Sequence, residues 1–401
     1  MTDGQGEVRE TEAITRRTED NILVMHGTRA KVTAFAITLP LVFSALLFGY
    51  DPPISSPGSP RGSDPVLGER IAKGVVFDGR LWILGTMSAR NDRSGGLVSF
   101  GLSDNSRTVH FERGVLDIAR SARDLWILRR GVEAGSFVCS VWRQKGFETL
   151  GKFEMSGKDE PIALLNSAGM PVVLSSQTIR SLGTDGHSWH VTELKGKVGS
   201  GVQVSAASPQ GGGSIYVGVD VGEWGGGLQQ IDLRTGMVNG VERRDSKELC
   251  AGPLNRECDP VTGVISDPQN KDCVIASVGL VHLFHSTGRL LRVCGQDVTL
   301  VSELPLSDKN EKWPQTEAFY GLAPSADGGF WAITPRALYH YSASGTKEEK
   351  HPLPTLESVS GVRLSRALPG VIVLQTDVNW AVSTSGYTPL VVPLEGPRQT
   401  N

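Results

Sequence analysis

Apolar and polar positions alternate in short runs along most of the chain, and the runs are separated by turns rich in Asp, Asn, Gly and Pro. The stretch 75–86 shows the pattern clearly, with an apolar run, the turn Asp78–Gly79 and a second apolar run. The phrase recurs around three tryptophans, Trp82, Trp126 and Trp331. Short runs bounded by turn residues predict β-strands joined by hairpins.

The recurrence of this phrase predicts an all-β fold built as a single β-propeller, because self-similarity at about 40–45 residues is typical of propeller blades. Seven blades are expected, and six or eight are the alternatives. The predicted segments are 71–112, 114–154, 160–195, 201–242, 258–304, 317–353 and 356–394. A closed ring of blades removes exposed sheet edges. The three tryptophans are expected to be buried at equivalent positions of different blades.

The segment 78–86, Asp-Gly-Arg-Leu-Trp-Ile-Leu-Gly-Thr, resembles a phrase of several propeller families. These are the sensor propellers of two-component regulators, the NHL repeats and the streptogramin lyase-like propellers. The resemblance covers 71–394 loosely and implies the fold alone. The phrase marks a turn and a packed strand, so it transfers no catalytic residue.

A separate apolar segment precedes the predicted propeller. Val32 to Tyr50 is a stretch of 19 residues without a charged side chain, which at about 1.5 Å per residue just crosses a hydrocarbon core of about 30 Å. Basic residues precede it and Asp51 follows, so the positive-inside rule predicts a cytoplasmic N-terminus and an external propeller. The predicted organisation is a cytoplasmic disordered tail at 1–31, a transmembrane signal anchor at 32–50, a Pro/Gly/Ser linker at 51–70, the propeller at 71–394 and a C-terminal tail at 395–401.

Two other interpretations of this segment stay open. A cleaved signal peptide starting at Met25 would give a secreted protein, although no small-residue cleavage site follows the apolar run. A buried core helix is disfavoured, because Pro40 lies in the middle of the run.

Four of the five cysteines lie within 45 residues of one another: Cys250, Cys258, Cys273 and Cys294. Export would allow disulfides, and at least one is expected here. Cys250 and Cys258 flank a short loop and can pair locally, which leaves Cys273 for Cys294, but the sequence does not decide among the three connectivities. Zinc is disfavoured because no paired Cys-x-x-Cys is present. Cys139 lies in an alternating strand pattern and is expected to be a buried free thiol.

Charge and motifs exclude several functions. With 40 basic and 43 acidic residues, the formal net charge of -3 gives no case for binding nucleic acid. The sequence contains no Gly-x-Ser-x-Gly elbow, no His-Glu-x-x-His pair and no phosphate loop. His282 and His285 fall on opposite faces if they share one strand, which disfavours a joint metal site. Asp232 is expected to cap a turn.

Loops that join the second and third strands of a blade, and links between blades, share one face of a propeller. Asp117 and Asp259 instead stand at predicted starts of inner strands. The candidate ligand-binding residues on the loop face are Asp92, Asp220, Glu223, Trp224, Trp313, Arg336 and Asp377. Each also has a structural interpretation, since a loop Trp is often a packing anchor and loop carboxylates are usually solvated.

These observations favour a membrane-anchored, exported propeller that binds a protein or small-molecule ligand on this face. No metal site is assigned and no cofactor is expected, although a divalent cation such as calcium could lie in the central channel. The alternative function is a lactonase-like or streptogramin lyase-like hydrolase or lyase with a metal in the channel. A structural subunit of an envelope complex is the third hypothesis.

Overall fold

The computed structural model describes residues 64–68, 70–86, 94–201, 203–283, 285–306, 315–376 and 389–394. Almost all regular structure in this part of the chain is β, apart from one 3-10 turn at Gly222–Trp224. The strands form antiparallel meanders arranged as a β-propeller. Hairpins with Asp-Gly, Asn-x-x-Gly or Gly-rich turns join successive strands, as the sequence predicts.

The first sheet has seven strands. They are β1 (Arg70–Phe77), β2 (Arg80–Thr86), β3 (Gly95–Gly101), β4 (Arg107–Arg120), β5 (Leu125–Arg130), β6 (Ser136–Arg143) and β7 (Gly146–Glu154).

Five four-stranded sheets follow. The third and fourth predicted segments form β8 (Pro161–Ser167), β9 (Met170–Ser175), β10 (Thr178–Leu182), β11 (Trp189–Glu193), then β12 (Gln203–Ala207), β13 (Ser214–Asp220), β14 (Gly226–Asp232) and β15 (Val238–Val241). The fifth and sixth form β16 (Val261–Ser266), β17 (Val274–His282), β18 (His285–Cys294), β19 (Asp297–Ser302), then β20 (Gly321–Pro324), β21 (Phe330–Ile333), β22 (Ala337–Tyr341) and β23 (Lys347–Pro352). The last sheet holds β24 (Glu357–Val359), β25 (Val362–Ser365), β26 (Val371–Thr376) and β27 (Leu390–Pro393).

The number of separate blades differs from the expected seven, because within the described ranges five four-stranded sheets stand apart from the seven-stranded one. The cause is β4, which has 14 residues and pairs with β3 through its first half and with β5 through its second half. Gly114 lies between the two halves with φ +88°. A residue without a Cβ adopts this conformation at little cost, so the strand turns from one partner to the next without ending.

The last sheet runs in the opposite sense to the others. In the preceding sheets the first strand is innermost, and β1, β4, β8, β12, β16 and β20 contact one another in sequence. In the last sheet it is β27, the final strand, that contacts both β1 and β20. A Cβ built on Gly74 of β1 would lie 2.8 Å from Val392 Cγ2 of β27. The chain therefore enters this sheet at its outer, exposed strand β24 and finishes at the centre, whereas in the preceding sheets it runs outward from the centre.

The core lies between neighbouring sheets, where their apolar faces pack together. Trp82, Trp126 and Trp331 are buried, and each lies on the second strand of its unit, opposite Val75, Ala119 and Ala323 respectively. The prediction that they are buried at equivalent positions is confirmed. The indole N–H of Trp82 donates to the carbonyl of Phe77 at 3.1 Å.

Two disulfides join the clustered cysteines, Cys250 to Cys258 and Cys273 to Cys294. Cys139 is a buried free thiol, as predicted. Burial raises the pKa of this thiol to about 12, so it stays protonated and unreactive.

The predicted transmembrane segment at 32–50 lies outside the described residues. Within the part of the chain that the structure describes, no helix is long and apolar enough to span a bilayer.

Candidate binding face

Four of the seven predicted ligand-binding residues lie in the described part of the chain. Asp220, Glu223 and Trp224 come together where β13 joins β14. Arg336 is exposed in the connection between β21 and β22, two sheets further along the ring. Asp92, Trp313 and Asp377 lie outside the described residues. We call the end of the sheets where β13 joins β14 and β17 joins β18 the upper face, and the opposite end the lower face.

The β13–β14 connection is a tight, internally bonded turn. Asp220 Oδ1 accepts a hydrogen bond from the Gly222 amide at 2.7 Å, and the Gly225 amide donates to the Gly222 carbonyl at 3.1 Å. Gly225 has φ +76°, and a Cβ there would lie 2.4 Å from the carbonyl oxygen of Arg256. The turn is therefore pressed against the link between sheets, and Trp224 is left pointing outward with 75% of its surface exposed.

The neighbouring hairpin of β17 and β18 reaches the same place. His282 Nδ1 lies 2.7 Å from Glu223 Oε2, so an acid–imidazole pair joins the two loops. The residues beside His282 are apolar and exposed, Val281 at 49% and Leu283 at 80%. We call the set Glu223, Trp224, Val281, His282 and Leu283 the Trp224 patch.

The two histidines of this hairpin do not share a strand, so the premise that they lie on opposite faces of one strand is wrong. His282 ends β17 and His285 begins β18, and the two are direct cross-strand partners. The alternation of apolar residues around them looks like one strand in the sequence, because the hairpin turn contains Leu283 rather than Gly or Asn. The partner of His282 is instead Glu223, from the preceding sheet.

Next to Asp220 lies Tyr320, a residue that sequence reasoning missed. Burial, and secondarily the nearby carboxylate of Asp220, raises the pKa of Tyr320 to about 12, against a hydrogen bond from the Val281 backbone that lowers it. Burial also raises the pKa of Asp220 itself, against the hydrogen bond from Gly222. The hydrogen bond with Val281 connects Tyr320 to the exposed hairpin of β17 and β18. Tyr320 directly precedes inner strand β20, and this position beside an inner strand is the sequence signal that could have identified it.

The link at 242–260 supports the patch from the side. Arg289 forms an ion pair with the buried carboxylate of Asp259 and also donates from Nε to the Pro253 carbonyl at 2.6 Å. The Asn255 amide donates to Asp259 Oδ2 at 2.6 Å. Together with the Cys250–Cys258 disulfide, these contacts fix the link, so Asp259 has a structural partner instead of an open carboxylate.

Two other predicted aspartates are also occupied within the protein. Asp117 Oδ1 lies 2.9 Å from Lys73 Nζ, and its Oδ2 accepts from the Leu164 amide at 2.7 Å, which joins three inner strands. Asp232 Oδ1 accepts from the amide of Thr235 at 2.6 Å and from its hydroxyl at 2.7 Å. The turn-capping role predicted for Asp232 is confirmed.

A concave feature lies on the lower face, between the β1–β2 and β4–β5 turns. This cleft has a volume of about 410 Å³ and is lined by Val76, Phe77, Asp78, Gly79, Leu102, Arg120, Ala122, Arg123 and Leu394. Arg120 Nη1 donates to the Val76 carbonyl at 2.8 Å, and burial lowers the pKa of its guanidinium. The charged groups that line the cleft are the guanidinium groups of Arg120 and Arg123 and the carboxylate of Asp78.

Several solved structures are similar to this chain at low identity. A chain of Kuenenia stuttgartiensis hydrazine synthase is 13% identical, with a TM-score of 0.48 over 82% of this chain and 96% of the other. The extracellular domain of a protein named as a one-component system of B. thetaiotaomicron is 12% identical, with a TM-score of 0.46 over 82% of this chain. The propeller domain of the trilobed protease of Pyrococcus furiosus is 10% identical, with a TM-score of 0.44 over 84% of this chain and 99% of the other.

This chain spans 39% of the B. thetaiotaomicron chain. No protein-family model matches the sequence, and no curated protein matches it either. The propeller fold follows from the strand topology described above.

Proposed function

We propose that this chain is an exported β-propeller scaffold that docks a protein partner through the Trp224 patch. The observation that carries the proposal is the exposure of Trp224, Val281 and Leu283 on two loops joined by the contact between Glu223 and His282. Exposed apolar side chains that lie together are typical of interaction sites. Trp is enriched among the residues that dominate binding energy at interfaces.

The loops that present the patch are already ordered, which supports the same function. The Glu223–His282 pair, the internal bonds of the 222–225 turn and the disulfide-braced link hold the backbone in place. A preformed surface loses less conformational entropy on binding, so more of the contact energy appears as affinity.

A site-specific photo-crosslinker tests the proposal. With Trp224 replaced by p-benzoylphenylalanine in the native host, we expect a discrete crosslinked adduct with a partner protein. The matched control carries the same residue at Leu300, which is 53% exposed on outer strand β19. Adding Leu283→Ser should abolish the adduct at position 224. Equal crosslinking at both positions, or an adduct insensitive to Leu283→Ser, would contradict docking at the patch.

We further propose that the propeller is exported and held to the membrane by the segment at 32–50. The two disulfides support export, because such bonds persist in oxidising compartments. A periplasmic or extracellular reporter fused after Asn401 should be active, and a cytoplasmic reporter at the same position should not be.

We also propose a seven-bladed ring in which two blades share β4. The pairing of β4 supports this count, since its first half is the outer strand beside β3 and its second half is an inner strand beside β5. Contacts among β1, β4, β8, β12, β16, β20 and β27 also form a closed circuit.

An enzyme with a metal in the channel is the weaker alternative. The two carboxylates expected at inner strands, Asp117 and Asp259, are engaged by Lys73 and Arg289.

A small-molecule ligand is favoured only by the lower-face cleft, where Arg120 and Arg123 would meet an anion. Titration calorimetry with octanoate tests small-molecule binding at this cleft. Binding to the wild type but not to an Arg123→Ala variant would support it.

A further inference from the structure

A buried histidine on the lower face has an environment that ordinary packing does not explain. His340 lies on β22 with 7% of its side chain exposed. Its ring packs against Trp331, with 4.6 Å between the ring centroids. Since rotation would disrupt this contact, the two ring nitrogens have fixed directions.

One of these nitrogens is oriented by a carboxylate. Glu348 Oε2, from β23, lies 3.0 Å from His340 Nδ1. A carboxylate in this position favours the proton on Nδ1 and leaves the lone pair on Nε2. The same arrangement of carboxylate, histidine and ion recurs around metal-binding histidines in proteins.

The other nitrogen lies close to Asp327, but the two are poorly aligned for a hydrogen bond. His340 Nε2 is buried and lies 3.1 Å from Asp327 Oδ2, and among the described residues no acceptor lies along the direction that an N–H on this nitrogen would take. Hydrogen bonds weaken steeply when the acceptor leaves that line. When two atoms bind one shared cation, by contrast, the lone pair of each atom points toward the ion and not toward the other atom.

The β20–β21 turn leaves this second carboxylate oxygen available. Asp327 Oδ1 accepts from the Gly329 amide at 2.9 Å, so Oδ2 is the oxygen that faces the histidine. A Cβ at Gly329 would lie 3.2 Å from His340 Nε2 and 3.2 Å from Asp327 Oδ1. The nearest atom to such a Cβ would be the backbone carbonyl oxygen of Tyr341, so the close approach of β22 already requires glycine here, and its missing side chain also leaves space beside these two atoms.

We propose that Asp327 Oδ2 and His340 Nε2 bind a divalent transition-metal ion such as Zn²⁺, with Glu348 orienting the imidazole. The three side chains offer ligand atoms that all lie within 4.8 Å of one another. With metal–ligand bonds of about 2.0–2.2 Å, the observed nitrogen–oxygen separation gives an angle of roughly 95–100° at the metal. Water molecules would complete the coordination. The ion would join the β20–β21 turn to outer strands β22 and β23, far from any channel cation.

Calorimetric titration of Zn²⁺ into the detergent-solubilised full chain, without a polyhistidine tag, tests this site. We expect one site in the wild type, an affinity at least tenfold lower in Asp327→Asn, and an affinity about tenfold lower in Glu348→Gln. Both residues are substantially exposed, so these variants should fold without metal, as their thermal transitions would verify. Ca²⁺ should bind far more weakly, since it prefers oxygen ligands.

The matched control is His351→Gln, which removes the neighbouring His351–Glu349 pair on β23 and should leave zinc affinity unchanged. The absence of zinc binding would overturn the proposal. Zinc binding that Asp327→Asn leaves unchanged would overturn it as well.

Discussion

At the residue scale, His110 shows how packing sets the charge of a side chain. Its ring stacks on Trp82 with 4.3 Å between centroids, and its Nε2 lies 2.8 Å from Ser99 Oγ. Burial, and secondarily the charge of Arg80, lowers the pKa of His110 to about 4, from an ordinary value of 6.5. The folded protein therefore keeps this imidazole neutral at mildly acidic pH.

Stability should consequently fall as the pH is lowered from about 6.5 towards 4. In that window the unfolded chain binds a proton at His110 and the folded chain does not, so protons favour unfolding. His110→Gln should lose less free energy of unfolding than the wild type between pH 7 and pH 5, as measured by urea titration at both values. Identical losses in the two proteins would show that His110 binds a proton equally well in the folded and the unfolded chain, which would contradict a lowered pKa in the fold.

At the scale of elements, the two disulfides fasten different kinds of segment. Cys250–Cys258 closes a short loop within the link at 242–260, whereas Cys273–Cys294 joins the start of β17 to the end of β18. On the chain-entropy model each stabilises the fold by about 2–4 kcal/mol.

Paired Cys→Ser variants should separate these roles. Either pair should lower the free energy of unfolding by about 2–4 kcal/mol in urea titrations. Limited proteolysis should then cut within 242–260 only when Cys250 and Cys258 are replaced, because Asp259 and Arg289 hold only one end of the link. Cleavage of that link in the Cys273/Cys294 variant instead would mean that the disulfide of the β17–β18 sheet, and not the disulfide within the link, protects the link from proteolysis.

The elements also show how far the sequence could lead. Strand alternation, turn residues and the three tryptophans were sufficient to predict a propeller. The reversed last sheet was not predictable, because a meander has the same alternation whether it begins inside or outside. The continuity of β4 was hidden by Gly114, which looks like a turn. The Asp220, Glu223 and Trp224 cluster was found from its loop. Its partners His282 and Tyr320 come from two other sheets, and local sequence patterns carry no information about such contacts.

At the scale of the whole molecule, the seam between the first and last sheets is closed by side chains. Among the described strands, none is shared between these two sheets. Leu81, Phe100, Leu364, Leu374 and Val392 pack across the seam. Arg366 reaches over it and donates to the carbonyl of Leu102 at 2.6 Å and to Asn105 Oδ1 at 2.7 Å.

Overpacking the seam should open it selectively. A Gly74→Leu side chain would collide with Val392 and Leu374, so we expect a loss of about 1–3 kcal/mol in the free energy of unfolding. Gly240→Leu is the control, because nothing lies within 4 Å of a Cβ at that exposed position. Amide hydrogen exchange should accelerate in β1 and β27 of Gly74→Leu while β12 to β15 stay unchanged. Uniform acceleration across all sheets would mean that the ring unfolds as one unit.

The strand β4 also restricts how this ring can be edited by evolution or by an engineer. Removing or duplicating the sheet of β12 to β15 requires cuts only in the links at either side, so the excised piece is self-contained. The sheet of β1 to β7 offers no such cut between its halves, because any break at Gly114 divides a continuous strand. Gains and losses of repeats should therefore concentrate in the later sheets, with the first seven strands inherited as a single cassette.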